Sequence, residues 1–524
     1  MKVVGKEEIK QILSLRFEDD ICKSLKDLPS PYLFKDIKKA SKRVARAINN
    51  NEKIVVVGDY DVDGVVSSVL MSEFFEDIDY EIELIIPNRF EDGYGINVKL
   101  LERIKADLII TVDNGISAIE AAKVCKERGV DLIITDHHNI PEELPDAYAI
   151  INPKQEDCNF PSSEICGAQV AWYFIAALKN ELGLEKYDLR KFLDLLAIAI
   201  VADMMELKGL NRIMVKVGFK MINQDSRVVF KAIKEYFNKD KFVSDDLSFL
   251  LSPLINSAGR MESAMFSYEM LRSKDFISAL KSVEYVASLN DSRKEIESDI
   301  FEQALSSCDD SSNIIVVWGD GWHEGVIGIV AARICRRFNK PAIVFSVDGD
   351  IAKGSARSVG SIDILSYISK QKDLLIGFGG HKSAAGMAIE SKNLSIFKEA
   401  LKEASKDIKD EEFLSANEVL GEIDVDHIDF HLLEILEEFE PYGQKNPKPK
   451  FLLKGAKIKD KRVLGISQNH LKLFLDCKKG SFESIYFNFS KGVDEGEEID
   501  LVFTLGKNEF RGESKVQLLI DQIW

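Results

Sequence analysis

The chain has 524 residues, enough for about three or four domains at roughly 150 residues each, so explanations built on a small stapled scaffold are unnecessary. Its composition, 45% hydrophobic and 30% charged, is ordinary for a globular protein. Sixty-nine Lys and Arg against 87 Asp and Glu give a net charge of −18, which excludes a uniformly basic nucleic-acid coat but not a basic groove on an acidic body.

In chain order, residues 1–50 read as an N-terminal helical arm. From Lys53 short β-branched runs alternate with helical stretches: strands at 54–57, 81–86, 108–112 and 132–135, with a helix at 65–76. This predicts a parallel α/β sheet in a domain spanning 51–262. Residues 166–260 read as mostly helical, and the apolar run 195–202 ends abruptly at Asp203, like a buried helix reaching a polar site. Residues 263–311 are charged and rich in helix formers, which predicts one long connecting helix. Strand–helix alternation resumes at 314–318, predicting a second, smaller α/β domain over 312–410. Residues 419–440 hold eight acids and no Lys or Arg; about five short strands follow from Phe451, so 419–524 is expected to form an OB-like β-barrel.

Seven cysteines are scattered without a C-x-x-C pair, so no disulfide framework or Cys-based zinc site is expected and a reducing, cytoplasmic setting fits. No apolar run approaches the roughly 18 residues of a membrane span. The N-terminal stretch carries acids and lacks a small-residue cleavage site, so neither a membrane partner nor a signal peptide is expected.

The chemistry concentrates at strand ends. Gly58-Asp59-Tyr60-Asp61-Val62-Asp63-Gly64 follows the first strand, Asp113-Asn114-Gly115 the third, and Asp136-His137-His138 the fourth. Ligands bind beyond the carboxyl ends of strands in open α/β sheets. Alternate acids there repel one another unless a cation neutralises them; Asp63, taken alone, reads as the cap of the next helix. Asp203 would be costly to bury unpartnered and is a natural further ligand. Oxygen donors with a few imidazoles and no thiolate suit Mn²⁺ or Mg²⁺, and one carboxylate shared by two ions would allow two-metal hydrolysis. Arg89, Arg260 and Arg357 carry planar forks suited to phosphate, the last two flanked by small residues. Gly379–Gly386 reads as a glycine-rich turn around His381 that could cradle an anion. Residues 441–479 hold eleven Lys or Arg against Asp460 and Asp476, with Phe451, His470 and Phe474 as candidates for base stacking.

Taken together, Asp59-x-Asp61, Asp113-Asn114-Gly115 and Asp136-His137-His138 resemble the signature of the DHH phosphoesterase superfamily. VVVGDYDVDG, PNRFEDGYG, TVDNGIS, TDHH, INSAGRM, GWHEGVIGIVA, GSARS and GGHKSAAG resemble, more narrowly, its single-strand-DNA exonucleases. The C-terminal NPKPKF, HLKL and Trp524 tail resembles the OB domain of the same group, so the likeness covers nearly the whole chain. The fold it implies is a parallel-sheet DHH domain, a connecting helix, a DHHA1-like substrate-binding domain and an OB-like single-strand-binding domain.

The resemblance makes Asp59, Asp61, Asp113, His137 and Asp203 metal ligands for two ions, Mn²⁺ or Mg²⁺, with Asp113 bridging. It makes His138, with Asp113, catalytic, set beside the metals and the scissile phosphate. Arg89, Arg260, Ser355 and Arg357 would hold a terminal 5′-phosphate, and His381 a substrate phosphate. Many superfamily members carry a His four residues before the first Asp; here that position is Val55, so two unequal metal affinities are expected. The implied activity is metal-dependent degradation of single-stranded DNA 5′→3′ to 5′-mononucleotides, in recombination and repair. Implied partners are single-stranded DNA with a 5′ end, and a single-strand-binding protein or helicase. Two competing readings are a phosphodiesterase of short oligonucleotides or cyclic dinucleotides, and a catalytically inactive replication scaffold.

Overall fold

The computed structural model describes residues 2–413, 419–465, 470–477, 480–487, 489, 492–510 and 513–524. Its first sheet holds β1 (Ile54–Val57), β2 (Glu83–Ile85), β3 (Leu108–Val112), β4 (Asp131–Thr135) and β5 (Ala149–Ile151), all parallel. Apolar β-branched runs fill β1 and β3 because helices cover both faces of the sheet. The strand order is β2-β1-β3-β4-β5, so the winding reverses between β1 and β3 and leaves a crevice at their carboxyl ends. The three-residue β5 is an addition to the expected strands, being too short to show a pattern.

The helices Val62–Asp77, Gly167–Glu181 and Leu193–Ala202 pack in the core behind that crevice. The stretch 1–50, read as one arm, is divided between two domains. The helix Ile37–Asn49 buries Ile37, Ala40 and Val44 against the first sheet's core, whereas Val4, Ile9 and Leu13 belong to the core of the C-terminal barrel. The expected long connecting helix is present as Phe276–Leu305, starting later than read: a short helix, Met265–Leu271, precedes it, and Asp275 caps the amide of Ser278 where the long one begins.

The second sheet holds β6 (Ile315–Asp320), β7 (Ala342–Asp348), β8 (Ile351–Arg357), β9 (Leu375–His381) and β10 (Ala384–Glu390) in the order β6-β7-β8-β10-β9. Only β6 and β7 run parallel; the rest is antiparallel. Here the glycine-rich stretch departs from its reading as a turn: Gly379-Gly380-His381 ends β9 and Ala384 begins β10, leaving Lys382-Ser383 as a tight hairpin. Strands β11 (Val419–Glu422), β12 (Lys450–Leu464), β13 (His470–Cys477), β14 (Gly480–Tyr486), β15 (Glu498–Phe510) and β16 (Glu513–Ile523) form the third sheet, and the β12–β15 pairing closes it into an OB-like barrel.

Candidate metal centre and phosphate pocket

Each strand of the first sheet that borders the crevice ends in a metal-binding type of side chain. Asp61 accepts from Gly64 N at 3.1 Å and caps Val62–Asp77. Asp63, expected to be that cap, instead reaches across the fold to a different helix, accepting from Gly167 N at 2.5 Å and Ala168 N at 2.9 Å. The start of the Gly167–Glu181 helix thus faces the carboxylates with its positive end. A Cβ at Gly167 would stand 2.3 Å from Asp113 Oδ1, so only glycine lets the helix approach so closely. Asp113 itself sits at φ 63°, a left-handed conformation imposed by the turn after β3.

His137 Nε2 lies 3.3 Å from Asp113, 3.4 Å from Asp203 and 3.7 Å from Asp63. Three sets converge, each with ligand atoms within 4.8 Å of one another: Asp59, Asp61 and Asp113; Asp63, His137 and Asp203; and Asp113, His137 and His138. All the sequence-expected ligands are therefore brought together, with Asp113 common to two sets and Asp63 added. Val55 is buried in the apolar core, and Asp63 brings a carboxylate to the set that holds His137.

Burial dominates the electrostatics. It raises Asp59 and Asp113 well above the usual carboxylate range, with neighbouring Asp charges adding to the effect. Burial, then the charge of Asp61, pushes Asp63 up to about 6; burial, then Asp63, pushes Asp203 up to about 7. Asp113 Oδ1, Asp203 Oδ2 and His137 Nδ1 are buried without a hydrogen-bond partner among the described residues. Crowded, orphaned oxygen donors with one imidazole fit hard divalent cations such as Mn²⁺ or Mg²⁺.

Asp136 stands outside the ligand sets and orients its neighbours. It accepts from the amides of Ile116, His137 and His138 and binds His138 Nδ1 at 2.7 Å. Burial opposes a charge on His138, but the Asp136 hydrogen bond overrides it and pushes the imidazole up to about 9.

Arginines gather where the first domain meets the second. Arg89 lies over the Tyr60 ring at 4.3 Å, and its buried Nε has no partner among the described residues. Arg260 Nη1 donates to Gly325 O at 3.0 Å, and Arg357 Nη1 to Ser355 Oγ at 3.1 Å. Burial, then the charges of Arg89 and Arg357, pushes Arg260 down to about 10, and burial also lowers Arg357. A Cβ at Gly328 would come within 2.9 Å of Ser355 Oγ and 3.1 Å of Arg357 Nη2, so the Glu324–Phe338 helix closes on this pocket through a glycine. His323 caps that helix at Gly325 N. His381 is exposed, 3.1 Å from Asn139, which also accepts from Lys154.

The basic tail differs from its sequence reading. Phe451 is 0% exposed and packs in the barrel core, so it cannot stack on a base. Many of the lysines are paired: Lys445 with Glu206, Lys448 with Asp245, Lys454 with Glu422 and Lys461 with Asp494. Phe474 is half-buried under Arg462 and Lys472 and lines a cleft with Lys459 and Lys515. Lys478 and Lys479 lie outside the described residues.

Comparison with known proteins agrees in class and then narrows it. The DHH family N-terminal domain matches residues 53–200 and the DHHA1 domain residues 311–411, which makes this a DHH phosphoesterase architecture. The RecJ OB domain matches residues 421–522. The chain is 34% identical to the single-stranded-DNA-specific exonuclease RecJ of Bacillus subtilis, over 94% of this chain and 64% of that one. It is 33% identical to RecJ of Haemophilus influenzae, over 96% of this chain and 93% of that one. The crystal structure of RecJ in complex with Mn²⁺ from Thermus thermophilus superposes with a TM-score of 0.84 at 27% identity, covering 99% of this chain and 76% of that one. The chain belongs to the RecJ family.

Proposed function

We propose that this chain is a metal-dependent exonuclease that degrades single-stranded DNA 5′→3′ to 5′-mononucleotides, in the cytoplasm, during recombination and repair. The observation that carries this reading is the pairing of a carboxylate pocket with an arginine pocket: Arg89 lies at 4.3 Å over the ring of Tyr60, the residue between Asp59 and Asp61. Asp59, Asp61 and Asp113 would hold one ion, and Asp63, Asp113, His137 and Asp203 the other. Bound there, Mn²⁺ or Mg²⁺ would supply Lewis-acid stabilisation of the scissile phosphate and a nucleophilic water at neutral pH.

The chain's own groups do the rest. Arg89, Arg260 and Arg357, with Ser355, grip a terminal 5′-phosphate through forked hydrogen bonds and so select which end enters. His138, held protonated by Asp136, offers a charged donor to the scissile phosphate. His381, arriving from the second domain beside Asn139, contacts the strand at a further phosphate. Such an enzyme consumes strands that another protein has opened or coated, so a helicase or a single-strand-binding protein is the class of partner it fits. Among the described residues no helix is long and apolar enough to cross a membrane.

A full ligand set argues against an inactive scaffold, and the barrel argues against a substrate limited to dinucleotides. The test is digestion of long 5′-phosphorylated single strands with Mn²⁺, beside linear and cyclic dinucleotides. Mononucleotide release from the 5′ end is expected, lost by roughly 10³-fold in Asp113→Ala while strand binding persists. Near wild-type turnover in that variant would sink the assignment.

A further inference from the structure

The loop that joins the acidic segment to the barrel docks on the first domain at Glu206 and Leu207, the stretch that follows Asp203. Leu207 N donates to Gln444 O at 2.9 Å, Lys445 pairs with Glu206, and a Cβ at Gly443 would stand 2.8 Å from Leu207 Cδ1. From this contact a line of buried hydrogen bonds runs inward. Asn211, 3% exposed, donates from Nδ2 to Glu206 O at 3.0 Å and Glu164 O at 2.6 Å. Its Oδ1 accepts from Gln169 Nε2 at 2.9 Å, and Gln169 Oε1 accepts from Cys166 N at 3.1 Å. Gln169 is 0% exposed, and its second amide proton meets Met214 Sδ at 3.2 Å. The next two amides, of Gly167 and Ala168, hold Asp63.

Every polar atom of the two side-chain amides is thereby used. A fully satisfied buried pair has one low-energy arrangement, so it transmits position where an apolar pair would only fill space. Its inner end is the Asp63 carboxylate; its outer end is the Glu206 carbonyl, in the turn that follows Asp203. Both carboxylates belong to one set with His137.

We propose that Gln169 and Asn211 are positioning residues that hold Asp63 and Asp203 at the spacing of a divalent cation, and that docking of the 441–447 loop sets that spacing. This rests on the reading of the carboxylate pocket as a metal centre. The C-terminal domain then acts on the chemistry as well as on the strand: its seat against Leu207 tunes the affinity of one of two metal sites.

The experiment is calorimetric titration of Mn²⁺ into the metal-stripped full-length protein. Removing a group that hydrogen-bonds a metal ligand directly typically costs about 10- to 100-fold in affinity, and Asn211 acts further out, so the low end applies. Asn211→Ala should weaken one Mn²⁺ site by about tenfold and leave the other unchanged. Its turnover should fall at low Mn²⁺ and recover at saturating Mn²⁺. Gly443→Val, which presses on Leu207 from the protein surface and leaves both amides intact, should shift the same site in the same direction, and it decides the matter if Asn211→Ala fails to fold. Folded variants that bind Mn²⁺ like the wild type would overturn the proposal. Asp113→Ala separates the two layers. If it too binds Mn²⁺ normally, the metal-centre reading falls; if it loses Mn²⁺ while the folded positioning variants do not, only the positioning role falls.

Discussion

The carboxylate pocket is drawn from one domain, at the ends of three neighbouring strands and two helices, whereas the arginine pocket takes Arg89 and Arg260 from the first domain and Ser355 and Arg357 from the second. The first is set by core backbone: Asp61 and Asp63 are each tied to a helix N-terminus and Asp113 is seated against Gly167. The second exists only while the two domains are docked, through contacts such as Arg260 with Gly325. Like charges are crowded in both, and under the proposed function each would be relieved by an opposite charge brought from outside, a cation in one and a phosphate in the other. Preorganisation therefore has different supports in the two pockets, and substitutions should separate them.

Outside the ligand set itself, where Asp113→Ala is expected to cost most, the largest effect comes from Gly167→Ala. Its Cβ would stand 2.3 Å from Asp113 Oδ1 and 2.6 Å from Asp113 Cβ, so turning the carboxylate aside would not relieve the clash. A displacement of about 1 Å at a reacting centre can cost 10²-fold. Turnover should fall by about that factor on 5′-phosphate and 5′-hydroxyl ends alike, with the preference between them unchanged. A changed end preference would mean that the pockets are not independently built.

The ligand set is legible where local pattern and topology agree. Three apolar runs each ending in acids or imidazoles locate the crevice without any knowledge of packing, and Asp59, Asp61, Asp113, His137 and Asp203 do converge there. Asp63 departs from its sequence reading because its partner amides lie more than a hundred residues away, and a cap on its own helix is the nearest local explanation. Phe451 departs for the opposite reason. Alternation along β12 puts Phe451 and Leu453 on the inner face, a local signal masked by the surrounding lysines. The hairpin at His381 is hidden because glycines signal a turn as readily as a strand that ends in one.

The second prediction concerns the arginine pocket. Arg357→Ala would remove one fork from the proposed terminal-phosphate site, and hydrogen bonds to charged groups contribute roughly 1.5–3 kcal/mol. Activity on 5′-phosphorylated ends should drop by about tenfold or more, activity on 5′-hydroxyl ends little, and Mn²⁺ affinity not at all. Equal loss on both ends in a folded, metal-binding variant would remove the terminal-phosphate role.

Acidity sharpens the contrast further. Asp63 titrates near 6 and Asp203 near 7 in the metal-free fold, and both must be ionised to hold a cation. Mn²⁺ affinity should fall as pH drops through 7 toward 6, by about tenfold per unit for each proton released. Without metal the sign for stability is the reverse. The folded chain keeps protons that the unfolded chain releases, so these groups make the fold less stable as pH rises from about 4 toward 7. Melting curves should show that slope in chelator and lose it in Mn²⁺. In the arginine pocket Arg260 titrates near 10, so end preference should hold steady from about pH 6.5 to 8.

The smallest effect tests whether the barrel cleft is a third charged surface of the same kind. Lys459, Arg462 and Lys515 surround the half-buried Phe474 there, on the wall of β12, β13 and β16. Deleting the whole domain would confuse the result, because Val4, Ile9 and Leu13 of the N-terminal segment would lose the core they pack in. Replacing the three cations with alanine leaves that core intact. Each phosphate contact on a single strand contributes about 0.7 to the slope of log affinity against log salt. The triple variant should therefore bind long strands with a slope shallower by up to about 2, and should cleave very short oligonucleotides at the wild-type rate. The terminal pocket acts on one phosphate, so Arg357→Ala should change that slope by less than about 1. If the triple variant keeps the full slope, the strand does not cross this cleft, and the backbone must be tracked by the two domains that hold the end.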